Sequence, residues 1–199
     1  MDDDLQPIDA EKVIAATRFW LERAVIGLNL CPFAKSVHVN QRIRYFVSGA
    51  TTKPELLADL MTELRALQSA DPAVCETTLL IHPCVLTEFI EYSQFLRAAD
   101  KSLVRQGLAE EFQLASFHPD YRFGEAGPDD IENYSNRSPY PTLHLLRETS
   151  ISRAVAAFPE AAMIYDKNIE TLRRLGHAGW RRLWVTADEQ RGCDEKTEA

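Results

Sequence analysis

The feature that most narrows the fold is an alternation of two periods. Three short segments rich in β-forming residues, RIRYFVSG (residues 42–49), ETTLLIHP (76–83) and FQLASFHP (112–119), are separated by two longer stretches with apolar residues at helical spacing. Pro54 opens the first stretch, and Leu57, Leu60, Met61, Leu64 and Leu67 share one side of it. The second runs from about residue 86 to residue 105 and carries Phe89, Ile90, Phe95, Leu96, Ala99 and Leu103. Strands joined by helices of this length are ordinarily parallel, with right-handed crossovers. The expected core is therefore a parallel β-α-β-α-β unit.

Ahead of that unit, Asp9 can cap a helix over residues 9–28, with Val13, Thr17, Trp20, Ala24 and Leu28 at helical spacing. Behind it, two C-terminal helices are expected, the first opened by Pro141. RRLWVTA, residues 181–187, can add a short strand. The fold class reads as α/β, or as α+β if that last strand is antiparallel. No internal repeat and no Gly/Ser-rich linker divides the chain, which predicts one domain over residues 9–187 between disordered tails at 1–8 (acidic) and 188–199.

Charge narrows the partners. Of 199 residues, 30 are acidic and 22 basic, a net charge of −8. With no Lys/Arg-rich run to offset it, nucleic acid and anionic membranes are not expected as partners. No apolar run approaches a membrane span, and MDDDLQPIDA lacks the basic and apolar regions of a secretory signal, so a cytoplasmic location is expected. Cys31, Cys75, Cys84 and Cys193 form no C-x-x-C pair and are expected as free thiols.

The candidate chemistry gathers in the second half. His82 and His118 each end a strand and each precede a proline. In parallel strands those ends share one sheet edge, where open α/β folds bind ligands. A His-Pro step also simply stops a strand, because proline cannot donate to the ladder. Residues 120–141 show no period, and a loop of that length beside the edge suits a lid or a wall of a site. On the helix expected after Pro141, His144, Arg147 and Glu148 fall on the face that Ile151, Ala154, Val155 and Phe158 turn to the core. Buried charges of that kind either pair within the core or line a cavity.

Asn136, Arg137 and Ser138 stand just before that helix and, with its first N–H groups, suit a carboxylate or phosphate, although Asn-Arg-Ser-Pro is also a good turn. Arg147 is a further ligand-binding candidate. In GLNLCPFAK, Pro32 can open a helix that Cys31 caps, with Lys35 one turn on, an arrangement that favours thiolate; packing of the thiol beside Phe33 is the alternative. His82, His118 and His144 can also be read as ligands of a divalent metal, with Glu148 or Cys31 as a fourth, although no H-E-x-x-H is present. Phosphate-loop, dinucleotide and nucleophile-elbow motifs are absent.

GLNLCPFAK, TTLLIHP, ASFHPDYRF, DDIENYSNRSPYPTLHLLRE and NIETLRRLGHAGW together resemble the bacterial family called domain of unknown function 1415, from the first helix to Trp184. The resemblance implies a bacterial, cytoplasmic protein and carries no activity and no catalytic residue. The residues themselves suggest an enzyme, of hydrolase or metal-dependent type, acting on a small anionic molecule. In that reading Arg137, Asn136 and Ser138 hold the anion, and His118 or His144 does acid–base work with Glu148 orienting His144. Two alternatives stand beside it: a metabolite-sensing module without catalysis, and a buried polar network of purely structural purpose.

Overall fold

A computed structural model describes residues 8–124, 126–157 and 163–184. Asp9 caps α1 (Ala10–Trp20), accepting from the Lys12 N–H at 3.1 Å. The helix continues past Trp20 as a π-helical turn, Leu21–Ile26, and Gly27 N–H still donates five residues back, to the Glu22 carbonyl at 2.9 Å. A β-carbon at Gly27 would lie 2.3 Å from the Arg23 carbonyl oxygen, so only glycine fits there. Asn29 then takes a left-handed φ of 55°, a conformation asparagine tolerates. The chain turns into the short α2 (Ala34–Val39).

β1 (Ile43–Val47), α3 (Lys53–Ser69), β2 (Thr77–Ile81), α4 (Phe89–Arg105) and β3 (Phe112–Phe117) form where periodicity places them. Thr52 and Glu55 close a capping box over α3, with Pro54 in its first turn. β1 and β2 are parallel, Ile43 opposite Thr77.

The fourth strand departs from expectation. Thr142–Arg147 is not the start of a helix but β4, antiparallel to both β2 and β3, and the sheet order is β1-β2-β4-β3. A central strand is buried on both faces, so TLHLLR shows a nearly continuous apolar run in place of alternation. The expected all-parallel core is thus a mixed sheet. β2 and β3 do run in the same direction, each opposed to β4, but they are not neighbours.

α5 (Glu148–Ala157) begins only after the strand, and α6 (Ile164–Arg182) breaks at Gly176, with φ 62° and ψ 173°. Arg181 and Arg182 end α6, and Leu183 and Trp184 form a turn, so the expected late strand does not start there. Phe158, residues 185–187, both expected tails and Cys193 lie outside the described residues.

α3 and α4 cover one face of the sheet. There Leu56, Leu60, Leu80, Tyr92, Leu143 and Leu145 are fully buried. The other face meets α1, the π-helical turn and α6; Trp20 stacks edge-on against Phe117 at 5.1 Å, beside the buried Leu172. No helix among the described residues is long and apolar enough to cross a membrane.

Arg147, the last residue of β4, shows how this sheet handles a buried charge. Its Nη2 donates to the carbonyls of Leu67, Ala70 (2.9 Å) and Cys75 (3.3 Å), so it caps the carboxyl end of α3, where the helix dipole also favours a cation. This corrects the expectation of a ligand-binding arginine: its donors on that side are taken by backbone. Arg147→Met is expected to lower unfolding free energy by about 3 kcal/mol by stripping charged hydrogen bonds from these carbonyls. The urea midpoint measures the loss, with the far-ultraviolet circular dichroism of the native state unchanged.

Candidate functional site

His82 and His118 meet, as their positions after β2 and β3 suggest. Tyr92 of α4 stands between them, its ring centroid 5.7 Å from His82 and 5.1 Å from His118. The Tyr92 hydroxyl ties the strands below, donating to the Thr142 carbonyl at 2.8 Å and accepting from the Phe117 N–H at 3.1 Å. His82 Nδ1 faces the Val85 carbonyl at 2.9 Å and must donate to it, which leaves Nε2 as a buried acceptor without a protein partner. His118 Nδ1 accepts from the Asp120 N–H at 3.0 Å, so its Nε2 carries the proton towards the Leu86 carbonyl at 3.2 Å. Both imidazoles have 0% exposure. Burial pushes the His82 pKa down to about 4, with His118 contributing, and lowers that of His118 as well. Two neutral rings thus fasten the segment between β2 and α4, and neither opens onto solvent.

His144 is not with them. Leu143 and Leu145 point to the α3–α4 face, so His144 points to the other, where Phe117 lies 6.2 Å away ring to ring. Thr77 Oγ1 donates to the Leu145 carbonyl at 2.5 Å and so receives the His144 Nε2 proton at 2.8 Å. Burial lowers this pKa to about 4 too. The sheet itself therefore separates His144 from His82 and His118, and the expected three-histidine metal centre does not form. Among the described residues no group of three His, Cys, Asp or Glu is placed to hold a metal ion. Glu148 opens α5 rather than standing one helical turn beyond His144, and it is Thr77 that orients the imidazole.

Cys31 does not cap a helix. α2 starts at Ala34 behind Phe33, and the Cys31 thiol packs against the cluster around Trp20 and Leu30, where burial raises its pKa. That overturns the expected thiolate.

The trio before β4 is occupied within its own loop. Asn136 Nδ2 donates to the Ser116 carbonyl at 3.0 Å, and Ser138 Oγ to the Tyr140 carbonyl at 2.6 Å. The Arg137 guanidinium stacks 4.2 Å over the Tyr134 ring and donates to the Tyr121 and Pro128 carbonyls. Asn133, which the sequence did not single out, is the fully buried pivot of this loop; it accepts from the Phe123 N–H at 3.0 Å and donates to the Gly127 carbonyl at 2.7 Å. A 3-10 helix, Ile131–Asn136, then lays Tyr134 edge-on to Trp180 of α6 at 5.1 Å. The loop is a braced wall, with its polar groups turned inward.

Open space lies elsewhere. A cleft of about 440 Å³ runs between the turn at residues 27–32 and α6, lined by Asn29, Lys167, Asn168, Thr171 and Arg174 among others. Asn168 fastens the two walls by donating to the Leu30 carbonyl at 3.0 Å. No histidine lines it. The π-helical turn and left-handed Asn29 shape one wall; no periodicity argument reveals such features.

The profile of one protein family, described as "Protein of unknown function (DUF1415)", matches residues 12–182, which spans every element from α1 to α6. The chain belongs to the DUF1415 family. No curated protein and no solved structure matches it. The family description assigns no activity, so the role of this DUF1415 chain has to be argued from its own geometry.

That geometry sets a pH dependence. The folded chain holds His82 and His144 near 4, below their ordinary 6.5, so the unfolded chain binds more protons between those values. Stability is full above about pH 6.5 and falls as pH drops towards 4, by up to about 3 kcal/mol for each ring. Urea midpoints across this range are expected to fall accordingly. His144→Gln, whose amide N–H can still reach Thr77, should flatten the decline.

Proposed function

We propose that this DUF1415 chain is a binding module for a small anionic molecule, which it holds in the cleft between the turn at residues 27–32 and α6 without catalysis by the buried histidines. One observation carries the reading: Lys167 and Arg174 both line that cleft, opposite a polar turn. They are seven residues apart on α6, two helical turns or roughly 10 Å along one face. Glu170 is the one acid in the lining, so the wall keeps a positive balance in a chain whose net charge is −8. The volume lies within the range of small-molecule sites. Asn29, Asn168 and Thr171 supply uncharged hydrogen-bonding groups.

An enzymatic reading on the imidazoles lacks access, because His82 and His118 have no exposed surface and His144 lies across the sheet. Titration calorimetry with inorganic phosphate and with citrate tests the proposal. Binding of at least one probe is expected, weakened about ten-fold or more in Lys167→Ala/Arg174→Ala and falling with added salt. His144→Gln should bind like wild type. Equal binding by the double variant, or no binding of either probe, would overturn the assignment.

A further inference from the structure

His118 is held by two bonds of opposite polarity. On one side its Nδ1 lone pair accepts the Asp120 N–H at 3.0 Å, and on the other its Nε2–H meets the Leu86 carbonyl at 3.2 Å. The turn after β3 is closed on the same residue, since the Tyr121 N–H donates to the His118 carbonyl at 3.1 Å. Tyr121 in turn gives its carbonyl to Arg137 and its ring to Phe123, at 4.9 Å. The bond from Asp120 therefore anchors the start of the loop whose far end packs on α6.

The two bonds differ in what a second proton does to them. A proton on Nδ1 faces the Asp120 N–H donor to donor, and that contact cannot persist. Nε2 remains a donor, so the bond to Leu86 is kept and strengthened by the charge. The ionisable groups around the ring are the Asp120 and Glu88 carboxylates, which attract an imidazolium, and His82, which is neutral. Tyr92 and Phe89 supply aromatic walls at 5.1 and 5.5 Å.

We infer that His118 is an acid-operated latch: a proton taken from solvent at Nδ1 expels the Asp120 amide and frees the turn at residues 119–121, while the Leu86 side stays fastened. Burial keeps the latch shut at neutral pH, because it holds the ring below the ordinary histidine value. The release is one-sided. That distinguishes it from general acid unfolding, and it does not depend on what the cleft binds.

Amide exchange by NMR between pH 7.5 and 4.5, corrected for the intrinsic pH dependence of exchange, tests it. Asp120 and Tyr121 are expected to lose protection about ten-fold or more as the His118 ring titrates, while the amides of β2 and α4 keep theirs. His118→Asn places a non-titrating oxygen where Nδ1 stands, and its Asp120 amide should show no such loss. Three results would overturn the latch: a ring that stays neutral until the whole protein unfolds, titration without loss at Asp120, or the same loss in His118→Asn. Should that variant fail to fold, the wild-type tautomer decides. Side-chain nitrogen shifts at pH 7.5 must show the proton on Nε2; a proton on Nδ1 rules the latch out.

Discussion

β4 lies in the middle of the sheet, hydrogen-bonded on both edges and covered on both faces, so nothing it carries can be handed to water. Every polar group on it needs a protein partner, and the strand is chosen around that need. Leu143 and Leu145 fill the α3–α4 side without any such demand. His144 is accommodated by Thr77 directly across the β2–β4 pair, and Arg147 by the last carbonyls of α3. A guanidinium with several donors suits a helix end, where several carbonyls converge without partners. The mixed sheet thus closes around its one antiparallel member, and the charges that looked out of place are the means of closing it.

Much of the frame was legible in the chain. The β-α-β-α-β order, the Asp9 cap and the Pro54 helix start all follow from local period and capping chemistry, which act over a few residues. β4 was misread for a physical reason. Pro141 is equally at home before a helix or at the start of a strand, and a doubly buried strand has the same unbroken apolar run as a buried helix turn. Set out as a helix, His144, Arg147 and Glu148 fell on one face; set out as the strand that forms, His144 and Arg147 point to opposite faces.

The candidate site divides along the same line. That His82 and His118 share an edge could be read from strand direction, and they do meet across Tyr92. Whether an edge is open or sealed depends on the connecting segments, and here Val85 and Leu86, both 6% exposed, cover it. Asn136, Arg137 and Ser138 were rightly seen as an odd polar cluster, but sequence cannot tell whether such a cluster faces outward to a ligand or inward to its own backbone. The cleft was invisible for another reason: its walls come from residues 27–32 and 164–174, far apart in the chain, and join through the single bond from Asn168 to Leu30.

The π-helical turn at Leu21–Ile26 has a consequence for what the cleft can tolerate. Bonding five residues back fits one more residue into the turn than α-geometry holds, without lengthening the helix in proportion. Deleting any one residue there would let the coil rewind to its common pitch and swing everything after it by about 100°. Asn29 would then leave the rim and Leu30 its bond to Asn168, while α1 and the sheet could stay as they are. The wall's position is therefore fixed by a count of residues as much as by their chemistry, and a same-length exchange and a shortening at this spot are very different events for the protein.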